Sequence, residues 1–243
     1  MQTDGHTLSS FDRDLEALQT HLLRMWTMVE AALSDSVTAL ETRDLDLANR
    51  VIEMDRAIDA LDDQINTEAA GVIALRGPTA SDLRLVLAVM RAAHSLERVG
   101  DYAKNVAKRT KVLVQIPELP GFSGTTRRMA KLVAVMLEQA MRALVRRDAV
   151  LAETVRQSDA DIDQMYNNMF RSLLTHMLES PTNITAAMHL HFIAKNIERA
   201  GDHATGIAEQ AIYLATGHFP NDARPKVDPT SAFPEPTTNG ASS

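Results

Sequence analysis

The sequence predicts an all-α protein made of two tandem three-helix bundles that are related by internal duplication. Three observations predict this class. Polar and apolar residues alternate at helical spacing over long stretches, only four of the nine prolines come before residue 220, and a set of residues recurs at a nearly constant offset. Hydrophobic residues make up 45% of the chain but aromatics only 4%, so the core must be built from aliphatic side chains and Met.

The pattern predicts six long antiparallel helices. They lie near residues 9–42, 44–75, 79–116, 124–146, 148–179 and 182–215. The segments "GPTASD" (77–82) and "SPTN" (180–183) separate helices because each combines a helix-breaking residue with polar residues that can cap the next helix. The loop "PELPGFSG" (117–124) is the strongest break signal and marks the predicted boundary between the two bundles.

The predicted organisation has five parts. These are a flexible N-terminus (1–8), a first bundle (9–116), a linker (117–123), a second bundle (124–217) and a disordered tail (218–243). The tail contains the other five prolines among Ser, Thr and Asn residues, a composition typical of disorder.

The duplication can be followed residue by residue. Leu40, Arg43, Asp44, Ala48, Val51, Asp55 and Asp59 recur 104 residues later as Leu144, Arg147, Asp148, Ala152, Val155, Asp159 and Asp163. In the third helix of each half, Glu97, Arg98, Gly100 and Asp101 recur 101 residues later as Glu198, Arg199, Gly201 and Asp202. A slightly shorter turn in the second half accounts for the three-residue difference.

Composition excludes several classes of protein. The chain has no cysteine, which rules out disulfides and thiolate metal sites. Its net charge of -7 argues against a nucleic-acid binder. No signal peptide and no apolar run of membrane-spanning length are visible, so a cytoplasmic location is expected. No P-loop or nucleophile motif is visible either, so an enzyme is not expected.

The recurring acids predict two clusters of carboxylates. The first cluster consists of Asp55, Asp59, Glu97 and Asp101, and the second cluster consists of Asp159, Asp163, Glu198 and Asp202. At about 100° per residue, all eight point away from the apolar seams of their helices, and in each hairpin the acids of the two helices lie level. We therefore expect both clusters to face solvent on an outer surface.

Each cluster carries an energetic penalty that metal binding would offset. Like charges one helical turn apart cost roughly 0.2–0.5 kcal/mol, and a glycine inside a helix costs about 1 kcal/mol. Oxygen-only ligands favour hard cations such as magnesium, manganese or iron. Gly100 and Gly201 beside the acids would leave room for ions or would let a neighbouring helix come close.

The paired motifs resemble the PhoU family. The resemblance is carried by "PTASDLR" (78–84), "LERVGDYAKNVA" (96–107) and "IERAGDHATGIAEQAIYLATG" (197–217), and it covers roughly residues 9–217. It implies a non-enzymatic cytoplasmic regulator, often a homodimer, that represses phosphate uptake and the phosphate-starvation response. The implied partners are a sensor histidine kinase and the ATPase subunit of the phosphate ABC transporter, with membrane association only through them.

The resemblance also implies a cofactor, namely a multinuclear cluster of iron or zinc held by carboxylates. The implied ligands are Asp55, Asp59, Glu97, Asp101, Asp159, Asp163, Glu198 and Asp202. One departure lies next to the second motif, where Gly206 occupies a position at which the family usually has Asn, as at Asn105 in the first copy.

Two further features have alternative interpretations. Arg84, Arg91 and Arg98 recur every seven residues on the third helix and form either a solvated basic stripe or a surface that docks a partner. His94 is a candidate additional ligand, although its counterpart in the second copy is Lys195.

Two other functional classes remain as alternatives. One is a helical scaffold that binds no metal, and the metal content of the purified protein distinguishes it from a metal-binding regulator. The other is a carboxylate-bridged di-metal oxidase, which places Glu-x-x-His motifs inside a helical bundle. The sequence contains no Glu-x-x-His, which argues against the oxidase.

Overall fold

The computed structural model describes residues 4–220 and confirms the predicted fold class. Its helices are α1 (Asp4–Thr42), α2 (Leu45–Arg76), α3 (Ala80–Leu113), α4 (Ser123–Arg146), α5 (Ala149–Glu179) and α6 (Ile184–Thr216), with a short 3-10 turn at Pro181–Asn183. No strand occurs between residues 4 and 220. Most of the predicted tail lies outside the described residues.

Two helix boundaries differ from the predicted ones for physical reasons. Helix α1 begins at Asp4 rather than near residue 9, because the intervening segment contains no proline to stop it. Helix α3 ends at Leu113 rather than near residue 116. A residue before proline is disfavoured in the helical conformation, so Ile116 ahead of Pro117 ends the regular helix early.

The repeated Arg-Asp pair forms the first turn of each copy. Arg43 and Arg147 both adopt the left-handed conformation, with φ of 56° and 53°. The side chain of Asp44 then accepts hydrogen bonds from two backbone amides of α2, and Asp148 does the same for α5. The repeat thus preserves a turn followed by an N-cap, which starts the second helix of each copy at an equivalent place.

Arg43 has a second role that ties the first bundle together. Its Nη2 donates to the carbonyl oxygens of Leu113, Val114 and Ile116, at 3.1, 2.9 and 3.0 Å. These groups lie at the C-terminus of α3, where carbonyls have no partner inside the helix. A positive charge there also complements the helix dipole.

The two bundles pack against each other along α3 and α6, with a second contact between α1 and α4. Leu119 and Phe122 of the predicted linker are buried, so this connection is packed onto the core. The helical pattern predicts an apolar seam on each of α3 and α6, and every residue of both seams is buried. The seam of α3 consists of Leu85, Val89, Ala92, Leu96, Val99, Ala103 and Val106, and that of α6 consists of Ala186, Leu190, Ile193, Ile197, Ala200, Ala204 and Ile207. Buried apolar residues from both bundles form one continuous hydrophobic core.

Helices α3 and α6 run antiparallel across this interface. The ring of Tyr102 lies 5.7 Å from that of His203, while Arg109 lies over the ring of Phe192 at 4.2 Å. Higher numbers on α3 therefore meet lower numbers on α6. Because Tyr102 and His203 hold equivalent positions in the two copies, a pseudo-two-fold axis passes between them.

Candidate metal-binding clusters

The first cluster is joined by a lysine that the sequence analysis did not single out. Lys104, one turn after Asp101 on α3, donates from Nζ to Asp101 Oδ1 at 3.0 Å. The same Nζ donates to Asp55 Oδ2 on α2. One ammonium group therefore bridges carboxylates from two helices and lies where a metal ion would have to neutralise them.

A second cation also lies against the first cluster. Arg98 Nη1 donates to Asp101 Oδ2 at 3.3 Å, and its Nε lies 3.4 Å from Glu97 Oε2. Burial, followed by the charge of Asp101, raises the pKa of Glu97 to about 7. His94 is exposed, and its Nδ1 is 4.0 Å from Glu97 Oε2, so it lies at the edge of the cluster.

The second cluster has a different arrangement of charge. Glu198 is 9% exposed, and its Oε1 accepts a hydrogen bond of 2.9 Å from Lys195 Nζ. Its other oxygen, Oε2, is buried and has no hydrogen-bond partner. Burial raises the pKa of Glu198, and the nearby charges of Asp202 and Asp163 raise it further, although Lys195 opposes them.

The expectation that all eight acids face solvent is wrong for three of them. Asp55, Asp159 and Glu198 are 4%, 5% and 9% exposed. The helical pattern predicts an apolar seam on α2 that consists of Leu47, Val51, Met54, Ile58, Leu61 and Ile65. The buried face instead includes Asp55, whereas Met54 is only half buried, so this face is rotated from the predicted seam. This rotation arises because α2 packs against both α1 and α3. Asp59 is exposed, as expected.

The two copies differ at the residues that neutralise the acids. The counterpart of Lys104 is Thr205, which is buried and donates from Oγ1 to the carbonyl oxygen of Gly201 at 3.2 Å. The counterpart of Arg98 is Arg199, whose guanidinium lies over the ring of Tyr102 at 5.9 Å. The acids are duplicated, but these two cations are not used in the same way.

Close helix packing explains the glycine at position 100 but not the one at position 201. A Cβ atom at Gly100 would lie 3.1 Å from Ile58 Cδ1, which is tighter than ordinary contact. A Cβ atom at Gly201 would lie 3.7 Å from both Ile162 and Val133, which is ordinary contact. Gly100 thus lets α2 and α3 approach closely, whereas a methyl group at position 201 would fit with ordinary van der Waals contacts.

Two of the three regularly spaced arginines, Arg98 and Arg91, contact a charged or aromatic side chain within the chain. Arg98 pairs with the first cluster, and Arg91 lies over the ring of Phe219 at 5.4 Å. Arg84 is half buried beside Gly217 at the end of α6. These contacts fix the arginines against acids and against the C-terminal end of α6. Docking of a partner on them stays a prediction.

In the structure, the carboxylates of neither cluster converge on a single point where an ion could bind. Among residues 4–220, no group of three or more His, Asp and Glu side chains is arranged to hold a metal. The first cluster fits a metal poorly because Lys104 already bridges Asp55 and Asp101, where an ion would lie. Both clusters contain buried carboxylate oxygens without a hydrogen-bond partner, namely Asp55 Oδ1 and Glu97 Oε2 in the first and Glu198 Oε2 in the second, and a cation would supply one in either. The second cluster fits better because its lysine, Lys195, is more exposed than Lys104 and pairs within one helix.

Lys104 could have been found by comparing the two repeats position by position. The departure at Gly206 is visible in the sequence, and the substitution of Lys104 by Thr205 lies directly beside it. A Cβ atom at Gly206 would lie 3.8 Å from Ser95 Oγ, so that departure faces the α3–α6 interface rather than the acids.

No helix in the described part of the chain is long and apolar enough to cross a membrane.

Two tandem three-helix bundles, each with a carboxylate cluster across its second and third helices, define a class of helical protein with duplicated acidic motifs. The sequence model of the PhoU domain matches residues 22–110 and 126–211. The chain belongs to the PhoU family.

Individual relatives match over nearly their whole length. The chain is 42% identical over 229 residues to the phosphate-specific transport system accessory protein PhoU homolog of Rhizobium meliloti, covering 94% of this chain and 97% of that protein. The crystal structure of PhoU from Pseudomonas aeruginosa superposes with a TM-score of 0.83 at 38% identity, covering 86% of this chain and all of that chain. The crystal structure of the phosphate transport system regulatory protein PhoU from Streptococcus pneumoniae superposes with a TM-score of 0.79 at 29% identity. This match covers 87% of this chain and all of that chain.

Proposed function

We propose that this protein is an accessory regulator of a phosphate-specific transport system, which lowers phosphate uptake and represses the phosphate-starvation response when phosphate is plentiful. The observation that carries the proposal is the match over both repeats and over nearly the full length of relatives that bear this name. The protein acts from the cytoplasmic side as an adaptor without enzymatic activity. It contacts the ATPase subunit of the phosphate ABC transporter and a sensor histidine kinase.

Complementation tests the regulatory part of this proposal. The chain is expressed in a bacterium that lacks its own PhoU and carries a reporter driven by a phosphate-starvation promoter. Restored repression in high phosphate, together with recovery of the transporter ATPase or the kinase on the tagged protein, is expected. A reporter that stays fully active despite normal expression of the folded chain would contradict it.

The arginines on α3 offer a sharper version of the recovery experiment. Arg84→Glu with Arg91→Glu reverses charge at two of the arginines predicted to dock a partner. Arg142→Glu with Arg146→Glu is the matched control, because both arginines are exposed on α4 and the pair changes the net charge equally. Arg142 pairs locally with Glu138 at 3.5 Å. If α3 docks a partner, the double variant recovers much less of it than the control does. Equal recovery removes the docking role.

Metal binding is the second part of the proposal, and the second cluster supports it. Glu198 brings a buried oxygen without a partner, while Asp163 and Asp202 raise its pKa and therefore lie within electrostatic reach. Iron, zinc or manganese bound there would neutralise this charge. The carboxylates would have to turn toward one another to hold an ion.

Elemental analysis of the purified protein separates metal binding from the alternative of a metal-free scaffold. That alternative is supported by the lysine contacts, which already partly neutralise both clusters. We expect bound metal that is lost in a variant with Glu198→Gln and Asp202→Asn. Metal content indistinguishable between the wild type and this variant would favour the scaffold.

Light scattering tests the homodimer that the family resemblance implies.

A further inference from the structure

The inference concerns the one position at which the two clusters differ most. Lys104 on α3 corresponds to Thr205 on α6, and the acids around these positions are otherwise the same. Duplication therefore preserved eight carboxylates but kept an ammonium group beside only one set at this position. A difference of this kind changes which cation each cluster can hold.

Lys104 is placed as a structural counter-ion rather than as a solvated surface lysine. Its side chain is only 23% exposed, and that of Asp55 is only 6% exposed. Its Nζ donates to Asp101 on its own helix and to Asp55 on α2. Lys104 therefore links α2 to α3 through carboxylates of both helices.

Lys195 in the second cluster does not take this place. It is 42% exposed, and it donates to Glu198, three residues further along the same helix. Its Nζ also lies 5.0 Å from the centre of the Tyr166 ring. A lysine at the edge of the cluster that pairs within its own helix can turn into solvent when another cation arrives, whereas Lys104 is held by carboxylates of two helices.

We propose that Lys104 is a built-in counter-ion that closes the first cluster to metal, so that the two copies of the repeat use different cations. In the first cluster an ammonium group stabilises the α2–α3 hairpin without any ion. The second cluster is left for metal, and this part of the inference rests on the proposed function.

The test removes Lys104 in a background that lacks the second cluster. Glu198→Gln with Asp202→Asn disables the second cluster, and Lys104→Thr installs the residue that the second copy carries. Binding of Mn²⁺ and Zn²⁺ is measured by calorimetry and elemental analysis. We expect the background protein to lose metal binding at least tenfold in affinity and the added Lys104→Thr change to restore a bound ion.

Lys108→Thr in the same background is the matched control. Lys108 lies one turn further along α3, is exposed, and carries the same charge. It should not restore metal binding. If it restores as much binding as Lys104→Thr does, the effect is one of net charge and the inference is wrong. Metal binding that survives unchanged in the background protein also overturns it, because the first cluster would then be open with Lys104 in place.

Failure of the proposed metal function is distinguishable from failure of this inference. If the wild type binds no metal but Lys104→Thr binds an ion, the second cluster is not a metal site and the inference about Lys104 stands. If neither binds, the inference fails. Should circular dichroism show that Lys104→Thr unfolds, Lys104→Gln replaces it, because Gln keeps a hydrogen-bond donor and much of the length.

A second readout needs no substitution. Amine-reactive labelling followed by mass spectrometry reports how accessible each lysine is before and after metal is added. Labelling of Lys195 is expected to rise as metal displaces it from Glu198, while labelling of Lys104 stays low and that of Lys108 stays high. A rise at Lys104 on addition of metal would overturn the proposal.

Discussion

The first and second copies of the repeat share the same backbone arrangement, but they differ in which groups neutralise their carboxylates. In the first cluster, Lys104 and Arg98 pair with the acids of α2 and α3. In the second cluster, Glu198 pairs with Lys195, which is more exposed than Lys104 and lies on the same helix as Glu198. The two copies share the positions of their carboxylates, while different neighbouring residues set the charge that each cluster presents.

The same contrast appears away from the acids. Arg43 and Arg147 share a left-handed conformation, yet Arg43 is half buried and donates to three carbonyl oxygens, whereas Arg147 is exposed. Gly100 is pressed against Ile58, whereas Gly201 has ordinary contacts. In each case the first copy is tied more tightly than the second. Substitutions at matched positions should therefore affect the two copies unequally.

The largest difference in stability is expected within the first cluster itself. Asp55→Ala removes a buried partner of Lys104, and we expect the free energy of unfolding to fall by about 2–3 kcal/mol, less than for a fully buried pair because Lys104 keeps Asp101. Asp59→Ala, at an exposed acid one turn later, should change it by less than about 0.5 kcal/mol. Urea denaturation measures both. Equal effects would show that the Lys104 bridge contributes little.

A smaller difference is expected at the repeated turn. Arg43→Ala leaves three carbonyl oxygens of the α3 C-terminus without their charged donor and should cost about 1–2 kcal/mol. Arg147→Ala keeps the same backbone strain but should cost less than about 0.5 kcal/mol. The two variants are compared by denaturant unfolding. A similar loss in both would mean that the turn conformation, and not the carbonyl contacts, decides the effect.

The smallest difference, and the only one predicted to change sign, is at the glycines. Gly201→Ala should stabilise the protein by up to about 1 kcal/mol, since alanine favours helix and its Cβ atom meets only ordinary contacts. Gly100→Ala should be neutral or destabilising, because its Cβ atom would force Ile58 to move. Thermal melting followed by circular dichroism compares them. Stabilisation by both would contradict the close contact at Gly100.

Much of the fold could be predicted from the sequence because helical periodicity and the repeat agree with each other. The α3 and α6 seams were predicted completely, since these helices lie at the centre and bury a wide apolar face. The seam of α2 is displaced from the predicted one because α2 packs against both α1 and α3, and periodicity within one helix does not show contacts between helices.

The candidate site was predictable in its acids but not in its cations. Spacing within each helix and level placement across each hairpin identified the carboxylates. Lys104 is an ordinary lysine by local pattern, and its role arises from Asp55, which lies 49 residues earlier in the chain. The different placement of Arg98 and Arg199 depends likewise on what packs beside each helix.

Crystals grown with Mn²⁺ and measured by anomalous scattering test the central claim most directly. The account predicts anomalous density beside Glu198, Asp163 and Asp202, with Lys104 still bound between Asp55 and Asp101 and no manganese in the first cluster. Manganese bound at Asp55 and Asp101 with Lys104 turned away, or density at neither cluster under saturating metal, would contradict the account.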